Sequence, residues 1–427
     1  MKFICDFHVH SHFSRATSKQ LVPEYLDYWA RVKGIKVVGT GDFTHPEWVS
    51  ELKEKLEFAE PGLFKLKKKY KNTIPALCPE KFDDIRFLLS AEISNIYKKG
   101  GTVRKIHSLI LAPGFEAVEK VQHKLAQRGA NIVSDGRPIL GMDVKDLLSL
   151  FLDVSGDFVF IPAHIWTPWF SVLGSKSGFN SVRECFEELS DYICAVETGL
   201  STDPSMHWLC SFLDEYTLIS NSDAHSPEKL GRNANIFNTE LTYGAIVNAL
   251  KNTGQNRNAF VGTIDLFPQE GKYYYDGHRK CRVCLNPKDT ILNNGVCPVC
   301  GSNVTIGVKN RVLQLADRED GLKRNNKKPF YSIIPLKEIL SEISGTLPAS
   351  KKVNKLYWEI IKKTGSELEL LLEMSISEIE KNSNEVLAEA VQRMRNKKVF
   401  LNPGFDGEYG RITLFKTAEN QKNSPIH

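Results

Sequence analysis

No stretch of the 427 residues approaches the roughly 18 consecutive apolar positions that a membrane-crossing helix needs. The opening MKFICDFHVH turns polar and histidine-bearing within eight residues, so a secretory leader is not expected and a cytoplasmic setting is. Repeats of fixed period and low-complexity tracts are both missing, which argues against a repeat architecture. Strong net charge is missing too: the balance is only +5, with 25% charged and 41% hydrophobic residues, and that composition excludes wholesale disorder. At about 150 residues per domain, the length predicts two or three domains.

The mild charge is unevenly spread. Residues 271–427 hold 26 Lys and Arg against 18 Asp and Glu, while the remainder is slightly acidic. A basic tail region on an acidic body fits contact with a polyanion, or a solvated basic surface. The nine cysteines fall into two groups. Cys5, Cys78, Cys185, Cys194 and Cys210 are scattered singly among apolar residues and read as buried thiols. Cys281, Cys284, Cys297 and Cys300 form two CxxC pairs, and without a secretory signal that pattern predicts a closed, structural four-cysteine zinc site rather than disulfides. Arg279, Lys280, Arg282, Lys288, Lys309 and Arg311 surround it, so the module either grips a phosphate backbone or staples two domains together.

Through about residue 265 one theme recurs: a short β-rich run, a polar residue at its end, then a helical stretch. The runs are 3–10, 36–42, 85–93, 107–112, 158–164, 193–198 and 217–223. Strands alternating with helices imply an α/β architecture with parallel pairing, and seven runs suggest a barrel of seven strands. Residues 51–84 look like an insertion, and its basic cluster KLKKKYK reads first as a solvated helix face. Segment 267–279 looks like a linker. Beyond the cysteine module the chain is mainly helical, with a capping box at Ser375 and Glu378 and an apolar stripe of Leu387, Ala390, Val391 and Met394. A Gly-rich turn running into a strand, NPGFDGEYGRITLF, follows. The predicted domains are 1–266 (barrel), 267–308 (linker and zinc ribbon) and 309–427 (helical, nucleic-acid contacting).

The chemistry is carried by what ends the runs: His8 and His10, Asp42, Glu92, His107 at a strand start, His164, Glu197, and Asp223 with His225. In a β/α barrel such strand ends share one mouth. Alternate strand residues face the same way, so HxH and DxH each aim two ligands together. Imidazoles and carboxylates in this number exceed what one ion can use, which predicts a cluster of two or three divalent ions such as Zn, Mg or Mn. His45 and Glu197 are candidates to support or join the ligands.

Taken together, FHVHSHFS, GTGDFTH, LLSAEIS, IHSLILAP, PAHIWTPW and SNSDAH resemble the polymerase-and-histidinol-phosphatase (PHP) metallophosphoesterases over about the first 265 residues. The resemblance implies a distorted seven-stranded β/α barrel of PHP type. By motif it implies His8, His10, Asp42, Glu92, His107, His164, Asp223 and His225 as metal ligands. The family's second motif usually reads Asp-His, whereas Phe43 follows Asp42 here, which leaves one ion short of a ligand unless His45 compensates.

The longer segments IPAHIWTPWFSVLGSKSGF, AVETGLSTDPSMHW and SNSDAHSPEKLGR, then the CxxC–CxxC module and NPGFDGEYG, are similar in order to a DNA-repair branch of this family. That similarity implies hydrolysis of the phosphodiester 5′ to deaminated bases (uracil, hypoxanthine, xanthine) and at abasic sites. Metal-activated water would be the nucleophile, with the lesion base flipped out, Asp223 and Glu92 as catalytic carboxylates, and a replication sliding clamp as a further partner. Trp166, Trp169, Lys176 and Arg232, near the expected mouth, are candidate DNA contacts. The competing readings are a small-molecule phosphatase of the histidinol-phosphate type, which would need neither zinc ribbon nor basic tail, and an inactive DNA-binding scaffold.

Overall fold

The computed structural model describes residues 1–71, 84–251, 259–320 and 327–416; Cys78 and His427 lie outside the described residues. Each of the seven expected runs overlaps a strand: Lys2–Asp6, Val37–Gly39, Arg86–Leu88 with Ser90–Lys99, Thr102–Leu111, Val159–Pro162, Ala195–Glu197 and Thr217–Ile219. The first three pair in parallel. Ser90–Lys99 pairs with Thr102–Leu111, which in turn pairs with Val159–Pro162. The Ile165 amide then bonds to the Glu197 carbonyl, Ala195–Glu197 lies parallel to Thr217–Ile219, and a bridge from Val9 to Ala224 returns to the first strand. The wall therefore closes on itself as a distorted barrel. Ala234–Asn238, Phe260–Leu266 and Phe330–Ile333 extend one side of it outward as a sheet.

Parallel pairing was expected throughout, and Thr102–Leu111 overturns it by running antiparallel to both neighbours. The reason is local. Only Gly100 and Gly101 separate it from the preceding strand, both at positive φ (60° and 76°). Two residues make a hairpin turn, whereas a parallel crossover needs a dozen or more. His107 was expected at a strand start, but it lies midway along Thr102–Leu111 and serves the mouth from there, opposite the Ser90–Lys99 strand that carries Glu92.

Alternation along the strands sorts the apolar residues into two layers. Cys5, Val37, Leu88, Leu109, Val159, Ile161, Ala195 and Ile219 form one buried cluster inside the wall. Their neighbours Val38, Phe87, Ile110, Phe160, Val196 and Leu218 pack outward in another cluster. The inward parity continues into polar residues at the mouth, from Leu88 to Glu92, Leu109 to His107, Ala195 to Glu197 and Ile219 to Asp223. Phe43, in the usual histidine position of its motif, is fully buried near Phe151 and Phe158.

The cysteine module is a small hairpin, Asp276–His278 with Val283–Leu285, followed by helix Pro287–Leu292. Five helices follow the last sheet strand: Leu336–Ser344, Lys351–Thr364, Glu367–Leu372, Ile376–Asn382 and Glu385–Arg395. The Ser375–Glu378 capping box is present, and the stripe Leu387, Ala390, Val391 and Met394 is buried. These helices dock on the barrel helix Pro23–Lys33 through a buried pair, Lys33 Nζ to Glu367 Oε2 at 2.6 Å. The Tyr357 hydroxyl and the Leu336 amide also donate to Glu367, so its charge is fully partnered. A hairpin, Phe400–Asn402 with Arg411–Thr413, closes the described chain. Among the described residues no helix is long and apolar enough to cross a membrane.

Candidate active site

At the barrel mouth the imidazoles and carboxylates converge into two groups that share one residue. Donor atoms of His8, His10, Glu92 and Asp223 lie within 4.8 Å of one another, as do those of Glu92, His107 and His164. In the first group, His10 Nε2 is 3.0 Å from Asp223 Oδ1. His8 Nε2 is buried without a hydrogen-bond partner, 3.6 Å from Glu92 Oε1 and 3.7 Å from Asp223 Oδ1. In the second, His107 Nδ1 and His164 Nε2 are 2.6 and 3.1 Å from Glu92 Oε1. An orphaned buried imidazole nitrogen facing two carboxylates fits a divalent cation, as does the mixed nitrogen and oxygen donor set.

The electrostatics agree. Burial opposes charge on every member, yet Glu197 and Glu92 hold His8 well above its ordinary range. Asp223 and Asp42 raise His10 to about 9 against the same burial. Glu92 and Asp223 lie well below the usual carboxylate range despite burial, because imidazoles surround them. His107, where burial wins, is pushed down to about 4. Positive charge is thus strongly favoured among these side chains.

Two carboxylates stand behind the groups. Glu197 meets His8 Nδ1 at 3.0 Å and accepts from the His164 amide and from Asn221 Nδ2, both at 2.8 Å. It fixes the His8 ring rather than joining either group. Asp42, expected as a ligand, takes the same part for His10, with Oδ1 3.4 Å from Nδ1. Its Oδ2 is occupied by the Ser11 amide and the hydroxyls of Ser11 and Ser14, which turns it away from the centre. Buried carboxylates in such positions set imidazole tautomer and direction. Asp42, His164 and Asp223 all hold positive φ (52°, 30° and 48°), a local cost of order 1 kcal/mol each that the surrounding bonds sustain.

Other expected residues sit elsewhere. His225 lies on the wall, its ring 4.7 Å from His10 and its Nδ1 3.0 Å from the Asp223 carbonyl, outside both groups. His45 does not compensate for Phe43. It caps helix Pro46–Lys55, accepting from the Trp48 amide, and its Nε2 meets the Val133 carbonyl. Trp166 is buried beneath the mouth against His207 and has no surface to offer DNA. Lys176 is exposed but outside the cleft wall, whereas Trp169 and Arg232 are part of it. Arg232 also ties down the Asp223 loop, donating to the carbonyls of Ser222 and Asp223.

The cleft above the centre encloses about 760 Å³. Sequence reasoning missed several of its residues. Arg137 Nη1 lies 3.0 Å from Glu92 Oε2, and Lys229 and Lys272 add cationic wall. Tyr273 and Tyr409 join Trp169 and Phe170 as aromatic wall. None carried a local signal, because each becomes part of the site only through folding.

The cysteine module needs one correction. The group that converges is His278, Cys281, Cys297 and Cys300, with Cys300 Sγ 3.4 Å from His278 Nδ1, while Cys284 is exposed and outside it. Ladder parity is the cause. His278 pairs with Val283 and Gly277 pairs with Cys284, so His278 and Cys284 occupy opposite faces of the hairpin. The HxxC spacing of His278 and Cys281 was a readable signal.

A protein-family profile described as "MJ0043 C-terminal domain" matches residues 335–398, the five helices after the sheet. The uncharacterized protein MJ0043 of Methanocaldococcus jannaschii is 33% identical over 284 residues, 65% of this chain, and the match spans about a third (34%) of that relative's length. The uncharacterized protein YqxK of Bacillus subtilis is 29% identical over 385 residues, 89% of each chain. Among solved structures, a lesion-specific endonuclease from Pyrococcus furiosus superposes over 100% of both chains with TM-score 0.83 and 28% identity. Endonuclease Q, solved with a 27-mer duplex bearing an abasic lesion at its active site, superposes over 97% of both chains with TM-score 0.84 and 29% identity. Agreement of that extent, from the barrel through the cysteine module to the final hairpin, makes this chain similar to endonuclease Q along its whole length.

Proposed function

We propose that the protein is a metal-dependent DNA-repair endonuclease that cuts the strand at abasic sites and 5′ to deaminated bases. The observation that carries the reading is the pair of ligand groups sharing Glu92 at the floor of a cleft walled by cations and aromatics. His8, His10, Asp223 and Glu92 would hold one divalent ion, and Glu92, His107 and His164 a second. Ions held there would acidify water toward neutrality and offset charge on a phosphodiester.

The remaining roles belong to the chain itself. Glu197 and Asp42 aim the His8 and His10 rings, and Arg137 partners Glu92 at the edge of the centre. Lys229, Arg232 and Lys272 attract the phosphate backbone, and the aromatic wall receives a nucleotide taken out of the stack. His278, Cys281, Cys297 and Cys300 would hold a structural zinc. An open cleft with a basic and aromatic rim favours a polymeric substrate over a small phosphomonoester.

The test is incubation with end-labelled duplexes carrying an abasic site, uracil, hypoxanthine or no lesion, with and without chelator. The expected result is a single cut on the 5′ side of the lesion that chelation abolishes. Release of phosphate from histidinol phosphate with no nicking of any duplex would overturn the reading.

A further inference from the structure

The Gly-rich motif NPGFDGEYG lies far from the barrel in sequence, yet it builds one wall of the cleft. Its backbone is laid directly on residues 269–275. The amides of Gly404, Gly407 and Gly410 donate to the carbonyls of Gln269, Lys272 and Glu270 at 2.8, 2.8 and 2.9 Å, and the Tyr275 amide donates back to Gly404. A Cβ on Gly410 would sit 2.0 Å from the Gln269 oxygen, and one on Gly404 would sit 2.5 Å from the Gly271 oxygen. These two glycines therefore serve close backbone approach. Asp406 accepts from the Arg279 amide, and Glu408 pairs with the Arg279 side chain at 2.9 Å, which pins the loop to the cysteine module.

What this backbone presents is the ring of Tyr409, 68% exposed and lining the cleft. Lys272 lies between two rings, its Nζ 5.5 Å from the centre of Tyr273 and 5.9 Å from that of Tyr409. Tyr273 in turn meets Trp169 edge-on at 5.8 Å. A row of rings interleaved with a cation thus leads from the outer rim toward the ligand groups. A large aromatic left in water on a backbone fixed by so many bonds does not serve packing, and its position suits a π-face that must be ready before its partner arrives.

We infer that Tyr409 is a stacking residue for the DNA strand: its ring takes the base next to the extruded nucleotide, while Lys272 takes the adjoining phosphate. The inference rests on the endonuclease reading. Opening a duplex costs stacking that a single strand does not have to give up, and an aromatic face restores part of it. Tyr409 therefore matters most on duplex substrates.

The experiment compares wild type, Tyr409→Ala and Tyr409→Phe on the same abasic lesion in duplex and in single-stranded DNA. The expected result is that Tyr409→Ala lowers the ratio of duplex to single-strand cleavage about tenfold, and that Tyr409→Phe restores it because the ring and not the hydroxyl is used. A second readout needs no cleavage. With 2-aminopurine beside the lesion and the metals chelated, the Tyr409→Ala complex should fluoresce more brightly than the wild-type and Tyr409→Phe complexes, since stacking on the ring quenches the probe. Equal loss on both substrates, or equal brightness in all three complexes, overturns the inference and leaves the endonuclease reading standing. Failure of the wild type to cut any lesion duplex refutes that reading instead.

Discussion

Replacing Glu197 with Gln keeps the volume of a fully buried side chain and removes its charge. The carboxylate meets His8 Nδ1 with both oxygens, at 3.0 and 3.1 Å, and also accepts from the His164 amide and from Asn221. A glutamine retains one acceptor oxygen and turns a donor nitrogen toward one of these partners, so at least one contact becomes unfavourable. Carboxylates behind metal-ligating imidazoles are worth about 10- to 100-fold in metal affinity. That range corresponds to about 1.4–2.7 kcal/mol. The expected outcome is therefore a 10- to 100-fold weaker affinity for Mn²⁺ or Zn²⁺ by isothermal titration, with the zinc of the cysteine module unaffected. Far-ultraviolet circular dichroism should be unchanged, because the inner cluster is untouched. Affinity within twofold of wild type would show that His8 needs no carboxylate behind it, and the division between ligands and supporting residues would fall.

Further outcomes are expected. Asp223→Asn should leave melting of the chelated protein near the wild-type value and reduce lesion cleavage at least 100-fold, because an interaction in the first ligand group is lost; near-normal turnover would refute its role. His278→Ala should lose the module's zinc while Cys284→Ser retains it, read as zinc per chain by atomic absorption after dialysis. Burial lifts the Asp265 carboxyl to about 7 despite hydrogen bonds from Ser220 and Thr263, so the fold holds its proton where the unfolded chain releases it. The stability from this group is present in full below about pH 4 and is lost as pH rises through about 7, a change of about 4 kcal/mol. Urea unfolding at pH 5 and pH 7 should show that slope for wild type and a flatter one for Asp265→Asn.

Much of this was legible in the sequence for a simple reason. A strand carries its apolar residues inward at alternate positions, and the same parity brings the next polar residue to the mouth, so Glu92, Glu197 and Asp223 could be read by counting. The hairpin at Gly100 and Gly101 escaped that reading, since runs ending at 93 and restarting at 107 leave room for a crossover that the longer strands Ser90–Lys99 and Thr102–Leu111 do not. What counting could not do was separate a ligand from its support. Asp42 and Glu92 both read as acids at the ends of β-rich runs, and the difference lies in the hydrogens of Ser11 and Ser14 that one of them meets. Phe43 points the same way, since its ring belongs to the apolar core and asks for no substitute ligand. Arg137, Tyr273 and Tyr409 were invisible because side chains without a local pattern gain meaning only from what folding sets opposite them.

The cleft draws on distant parts of the polypeptide: His8 lies buried beneath its floor, 3.7 Å from Asp223, and Tyr409 stands at its rim. On the ribosome, the side chains of both ligand groups would have emerged by Asp223, while Tyr409 would follow much later. A nascent or prematurely terminated product would accordingly hold half a vice, able to gather cations but unable to seat its polymer. Cation binding would thus precede the capacity to seat a polymer, an order of events written into the sequence of the chain.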